Sequence, residues 1–210
     1  MPQLPTIALL GATGHTGRAL LEQALERGHH VRALVRDPSK LNTHDNLTLI
    51  QGDASSAEDL ASLLQGAHTV INCLGLPHHS TSRLVSEVTT QLLELNPQHQ
   101  VDRLLNMSNT GVDDTGSWIG RRVVIPLFLR WLRPIIEDKQ RAEDALRQHP
   151  DLRWASIRFP NIVDGPARPV RTSPHGKDLS WSITTHSAAT FLLDQVTQDT
   201  WMGQMPCVSN

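Results

Sequence analysis

Ile7-Ala8-Leu9-Leu10-Gly11-Ala12-Thr13-Gly14-His15-Thr16-Gly17-Arg18 is the stretch whose reading decides the fold. Four consecutive apolar residues predict a short strand buried on both faces. Three glycines follow at intervals of three. Beyond them Gly17, Leu20, Leu21, Ala24 and Leu25 recur at helical spacing, so the pattern changes from strand to helix across the turn. Each glycine has a physical use in that setting. Gly11 permits a tight exit from the strand, Gly14 lets a pyrophosphate approach the backbone, and Gly17 lets the helix pack close to the sheet. The helix then presents N–H groups and the positive end of its dipole to phosphate. Thr13, His15 and Thr16 line the turn, with His15 read as a surface or phosphate contact. A bare structural turn is the competing reading, and the strand–turn–helix context weighs against it.

The same alternation runs outward through the chain. Further strands are predicted at 31–35, 47–50, 69–74, 103–108 and 152–159. Gly28 suits the end of the first helix. Ser55 and Glu58 have capping-box spacing before Leu60, Leu63 and Leu64. Val85, Val88, Leu92 and Leu95 stripe a helix closed near Pro97, and Pro134 suits the first turn of one reaching about Gln148. Residues 164–177 read as a loop, 179–183 as a short strand, 188–196 as a helix and 205–208 as a last edge strand. The pattern is α/β, a doubly wound parallel sheet with helices on both faces, in one domain over 1–210 with a small C-terminal substrate region. Such sheets bind ligands at the carboxyl ends of their strands.

Composition narrows the classes. Of 210 residues, 39% are apolar, enough for a core and against wholesale disorder. The formal net charge of −2 gives no electrostatic reason to expect nucleic acid or an anionic membrane as partner. Cys73 and Cys207 make no disulfide framework and suit a reducing compartment. No apolar run approaches the ~20 residues that span a bilayer. With no signal-peptide pattern at the N-terminus, a cytoplasmic protein acting on a small molecule is expected. No Cys/His spacing suggests a metal site.

The nucleotide is read at the end of the second strand. An NAD site places Asp or Glu there for the ribose 2′-hydroxyl; here Val35 stands in that place and Arg36 follows. A guanidinium binds a 2′-phosphate where a carboxylate repels it, and Lys40 adds a second charge, so the cofactor expected is NADP(H). Asp37 is expected to cap the next short helix. The bland reading of Arg36 is a solvated surface arginine. Cys73, Leu74 and Gly75 end the fourth strand, where the backbone passes along a cofactor, with Cys73 a small core residue and not a nucleophile.

Gly-Ala-Thr-Gly-His-Thr-Gly-Arg, with Gly28-His29-x-Val31-Arg32-Ala33-Leu34-Val35-Arg36-Asp37-Pro38-x-Lys40, Gly52-Asp53, Asp138-Lys139, Ala142-Glu143, Leu146 and Ile157-Arg158, resembles the short-chain dehydrogenase/reductase superfamily. Within it the chain is similar to the atypical NmrA-like and biliverdin reductase B-like NAD(P)H-binding proteins. The resemblance implies a Rossmann-type fold, Asp53 beside the adenine, and Phe159 and Pro160 near the nicotinamide. Ordinary readings compete: a strand-end turn for Asp53, a strand-end serine for Ser108, a solvated helix lysine for Lys139. By family position, Ser108 and Lys139 are the catalytic serine and lysine, and Lys139 is also placed to bind a ribose hydroxyl. The family tyrosine falls four residues before the lysine, at Ile135, and the chain contains no tyrosine. Two of the three members are therefore present without the acid.

The resemblance then supports an NADPH-dependent reductase of flavins, quinones or similar conjugated acceptors, which take their proton from water. The alternative is a non-catalytic NADP(H)-sensing regulator of NmrA-like type. A nucleotide-sugar epimerase or dehydratase is less favoured, since those relatives use the Tyr–Lys pair. His78, His79 and His186 are candidate proton sources, each against the bland reading of a solvated loop histidine. The segment 118–136 mixes apolar residues with arginines and is read as core, as a wall or lid over the substrate that includes Trp131, or as a membrane-surface or partner helix. His78 and Trp131 are the substrate candidates, and a homodimer is open.

Overall fold

The computed structural model describes residues 4–75, 82–113, 115 and 132–210. β1 (Ile7–Leu10) leads through the glycine turn into α1 (His15–Glu26), and β2 (Val31–Val35) is followed by a 3-10 turn at Pro38–Lys40. β3 (Leu47–Gln51), α2 (Ala57–Leu64), β4 (Thr69–Asn72), α3 (Leu84–His99) and β5 (Arg103–Asp113) come next. Then follow α4 (Arg133–Arg147), β6 (Arg153–Phe159), β7 (Asn161–Val163), β8 (Arg171–Ser173), β9 (Ser182–Thr184), α5 (Thr185–Asp194) and β10 (Cys207–Ser209).

Among the described residues the main sheet has the order β3-β2-β1-β4-β5-β6-β10-β8, and β7 and β9 form a separate parallel pair. All neighbours in the main sheet are parallel except β10 and β8. The four-residue β1 shows why the sheet is covered on both sides. Ile7 and Leu9 enter one core with α1 and α5, while Ala8 and Leu10 enter another with α2, α3 and Leu146 of α4. Side chains of a strand alternate faces, so an unbroken apolar run fills two cores at once. The fold is therefore the expected α/β, mostly parallel, Rossmann-like sheet. No helix among the described residues is long and apolar enough to cross a membrane.

Element ends depart from the sequence reading for identifiable reasons. Gly28, at φ +84°, does close α1, with His29 N–H bonded back to Ala24 at 3.0 Å. The cap of α2 is Ser56, whose hydroxyl accepts from Asp59 N–H at 3.3 Å; Ser55 instead donates to Asp53. α3 runs past Pro97 to His99, because proline removes only its own bond to the preceding turn. The helix stops at Gln100, at φ 52°, where the Asn96 side chain accepts from Val101 N–H at 3.0 Å. β5 extends beyond Ser108 to Asp113, still paired with β6 at Asn109 and Phe159. β8 lies inside the segment read as loop; Arg-Thr-Ser carries no apolar signal, and its strand form comes from pairing with β10. That pairing makes β8 the edge, with β10 enclosed between β6 and β8. α5 starts at Thr185, earlier than its apolar stripe indicates.

Candidate dinucleotide site

Parallel register brings the ends of β1, β4, β5 and β6 to one edge of the sheet. At that edge Gly11 adopts φ +78°, and its nearest neighbour is the Cys73 carbonyl; a β-carbon on Gly11 would lie 2.7 Å from that oxygen. Gly14 N–H closes the turn on the Gly11 carbonyl at 2.9 Å. A β-carbon on Gly17 would overlap the same carbonyl oxygen. Gly17 thus serves the closure of the turn itself more directly than the packing of α1 on the sheet. Gly14 is the N-cap of α1 and supplies no side-chain acceptor, and no acid occupies the first turn. The start of α1 is left with a positive dipole and no internal anion on its cap. The Thr13 carbonyl accepts from Arg18 Nε at 3.2 Å, and Thr16 is buried. His15 forms an exposed pair with Asp164, beyond β7.

Around β2, Val35 is buried and Arg36 and Lys40 are exposed. Arg36 makes no hydrogen bond or ion pair among the described residues; its charge acts on the Asp53 carboxyl. Asp37 caps the 3-10 turn, accepting from the Ser39 amide at 3.1 Å and hydroxyl at 2.6 Å. These bonds hold its carboxyl below the usual range. Asp53 is held low by the Ser55 hydroxyl and amide, and then, against desolvation, by the charge of Arg36.

The other end of the edge is more enclosed. β4 stops at Asn72, so Cys73, Leu74 and Gly75 lie just past the strand. Leu74 N–H donates to the Asn72 side chain at 3.1 Å. Cys73 is buried, and burial pushes its thiol up to about 12, which leaves no thiolate at neutral pH. Ser108 is 1% exposed and its hydroxyl has no partner among the described residues. Lys139 is 3% exposed, so the reading of a solvated helix lysine fails. Its Nζ donates to the Met107 carbonyl, next to Ser108, at 2.6 Å. Burial lowers the amine from 10.5 to about 8, against the opposing charges of Glu143 and Asp138, while the neutral Cys73 thiol carries no charge in that range. Ile135 lies one turn before it and is buried. Asn72 and Asn106, in register on β4 and β5, are also buried, with side-chain atoms that have no partner among the described residues.

The Phe159 side chain is fully buried, leaving its backbone and the half-buried Pro160 at the edge. His186 Nδ1 is bonded to the Gly165 carbonyl at 2.9 Å, beside Asp164, so it sits on the glycine-turn side and away from Lys139. His78, His79 and Trp131, with residues 118–131 of the 118–136 segment, lie outside the described residues.

Two groups were not legible as functional in the sequence. Arg158 is buried and paired through Nε with both Glu143 oxygens at 3.1 and 3.2 Å, and through Nη2 with Asp113 at 2.5 Å. Ser156 donates to Glu143 at 2.9 Å. Asp138, also buried, caps α3 from outside it. The available signal was polarity at core-facing positions, which demands partners without naming them. A cleft of about 730 Å³ lies beside Arg158, Trp154 and Trp201, with no lining residue from the glycine turn or Arg36.

A family model described as NAD(P)H-binding matches residues 11–199, beginning at the first glycine of the turn. The 3-beta-hydroxysteroid dehydrogenase of Mycolicibacterium neoaurum is 38% identical over 69 residues, which cover 33% of this chain and only 19% of that protein. A short-chain dehydrogenase/reductase from Veillonella parvula, solved in complex with NADP, superposes with a TM-score of 0.80 at 15% identity, covering 98% of this chain and 94% of that one. A candidate NADH-flavin reductase from Streptococcus pneumoniae superposes with a TM-score of 0.78 at 21% identity, covering 98% and 99%. At such identities the superpositions establish the fold.

Proposed function

The chain belongs to the NAD(P)H-binding family, and from that premise we propose that it is a reductase that uses NADPH to reduce flavins, quinones or similar conjugated acceptors. The observation that carries this reading is a glycine turn opening α1 and an exposed Arg36 without a hydrogen bond or ion pair among the described residues at one end of the sheet edge, with the buried Ile135 at the other. A dinucleotide fits the residues present. Gly11 and Gly17 let the turn close where β-carbons would strike backbone, which leaves the N–H groups at the start of α1 free of side chains, and the buried Ser108 hydroxyl has no hydrogen-bond partner among the described residues.

In this reading the start of α1 holds the pyrophosphate, with Thr13, His15 and Thr16 around it. Arg36 and Lys40 hold the 2′-phosphate, and Asp53 lies beside the adenosine. The backbone of Cys73, Leu74, Gly75, Phe159 and Pro160 flanks the nicotinamide half, and Ser108 and Lys139 bind its ribose or amide. When bound, the nicotinamide supplies a hydride. Ile135 has no proton to give, so alcohol–ketone exchange lacks its acid, whereas a conjugated ring accepts hydride and draws its proton from water.

The test is to purify the protein, identify its bound cofactor, and follow NADPH oxidation against flavins, quinones and aldehydes. Turnover with flavin or quinone acceptors first supports the reductase. Intact cofactor binding with no turnover overturns it in favour of the NADP(H) sensor, a second reading favoured by the burial of both Ser108 and Lys139.

A further inference from the structure

At the start of α3 the Ser82 hydroxyl accepts from Leu84 N–H at 3.1 Å, and the next two amides are capped from elsewhere in the chain. Arg83 holds its N-cap position and contributes no side-chain acceptor. The acceptor for those two amides comes from α4. The Asp138 carboxylate, fully buried, accepts from Val85 N–H at 3.0 Å, Ser86 N–H at 3.3 Å and the Ser86 hydroxyl at 2.5 Å. Arg141 approaches the same carboxylate at 3.6 Å. A carboxylate on the free N–H groups of a helix start satisfies both the donors and the dipole, and here it does so across 53 residues of sequence.

Asp138 immediately precedes Lys139. Among the described residues the Lys139 amine is bonded to the Met107 carbonyl of β5 and lies within charge range of Glu143 and Asp138 on its own helix and of the Cys73 thiol past β4. Glu143 is committed to Arg158 of β6. α3, for its part, is the first described helix after β4, the strand that ends at the candidate cofactor edge. One carboxylate thus touches the helix that follows this edge and adjoins the lysine that serves it.

Resting on the reading of Lys139 as a residue of the nicotinamide site, we propose that Asp138 is its positioning residue: by closing the start of α3 it fixes α4 so that the Lys139 amine meets the Met107 carbonyl beside Ser108. Its charge also acts on that amine. Asp138 does not touch the reacting atoms. A cap with only a structural role would leave the lysine amine indifferent to the loss of the charge.

Asp138→Asn keeps the volume and removes the charge. The measurement is the titration of the Lys139 amine by NMR on lysine-labelled full-length protein without cofactor, assigned with Lys139→Arg. The midpoint should fall by about one pH unit in Asp138→Asn. Ser86→Ala, which loses one bond to the same carboxylate and keeps its charge, should lower stability and leave the midpoint in place. If Asp138→Asn does not fold, Arg83→Asp combined with it gives α3 a local cap at an exposed position, and the midpoint should still fall. An unchanged midpoint in Asp138→Asn, or in the double variant, overturns the proposal. NADPH calorimetry on the unmutated protein runs alongside: absence of binding there defeats the reductase reading, while the amine titration still decides the role of Asp138.

Discussion

Arg36→Ala should weaken NADPH binding and spare NADH. In the fold the side chain is exposed and makes no hydrogen bond or ion pair among the described residues. Its removal therefore leaves no buried partner stranded, and stability should stay within about 0.5 kcal/mol. Its expected partner is a 2′-phosphate of about −1.5 to −2 charge. An exposed ion pair contributes only about 0.2–1 kcal/mol. A hydrogen bond to a charged group reaches about 1.5–3 kcal/mol. A bidentate but solvent-facing contact falls between, at about 1.5 kcal/mol, or roughly tenfold in Kd for NADPH. Arg36→Glu adds repulsion where Asp53 already supplies negative charge nearby, and should cost roughly a hundredfold in Kd. Calorimetry with both cofactors at low and high salt measures this, and the NADPH preference should shrink as salt rises. Equal losses for NADH and NADPH, or no loss for either, would refute the assignment of Arg36.

Gly17→Ala puts a methyl group into the Gly11 carbonyl, so the turn must open; urea denaturation should show a loss of about 1–3 kcal/mol together with weaker NADPH binding. Glu143→Ala leaves Arg158 buried without its main partner, and should lose about 3–5 kcal/mol, while Glu143→Leu with Arg158→Met should recover most of it; a double variant as unstable as the single one would sink this account. Lys139 titrates lower folded than unfolded, about 8 against 10.5. Between those values the unfolded chain binds more protons, so stability rises with pH across that window, on the order of 3 kcal/mol, from a burial penalty that is fully present below pH 8. Lys139→Met should be more stable at pH 7 and lack this rise; parallel urea curves at pH 7 and 10 for the two proteins would contradict it. No oxidation of secondary alcohols is expected at high pH, because Ile135 offers no acid, and robust activity in that assay would refute the point.

Where structure is dictated by neighbours along the chain, the sequence already contains it. The glycine turn was legible because its demands are local: a positive φ at Gly11, no room for β-carbons, and a change of apolar period from strand to helix within a dozen residues. The two-faced burial of β1 follows from its apolar run in the same way. The Asp37 cap, two residues from its donors, was equally readable. Other features had no local signature. Arg171–Ser173 is a strand only because β10 lies beside it. Ser55 and Ser56 offer nearly the same capping pattern, but Ser55 is engaged by the Asp53 carboxylate and Ser56 takes the cap.

Charge made the largest difference. The resemblance singles out Lys139, but nothing local tells it from a solvated helix lysine; it is buried against Met107, and Asp138, its neighbour, caps the start of α3. Arg158 reaches Asp113 across 45 residues, and His15 meets Asp164 across 149. Amino-acid type determined that these groups are polar and need partners; only the tertiary structure decided which partner each one met. The energy of an ionised side chain depends on the dielectric and the charges within a few ångströms of it, and chain folding fills that shell with residues distant in sequence.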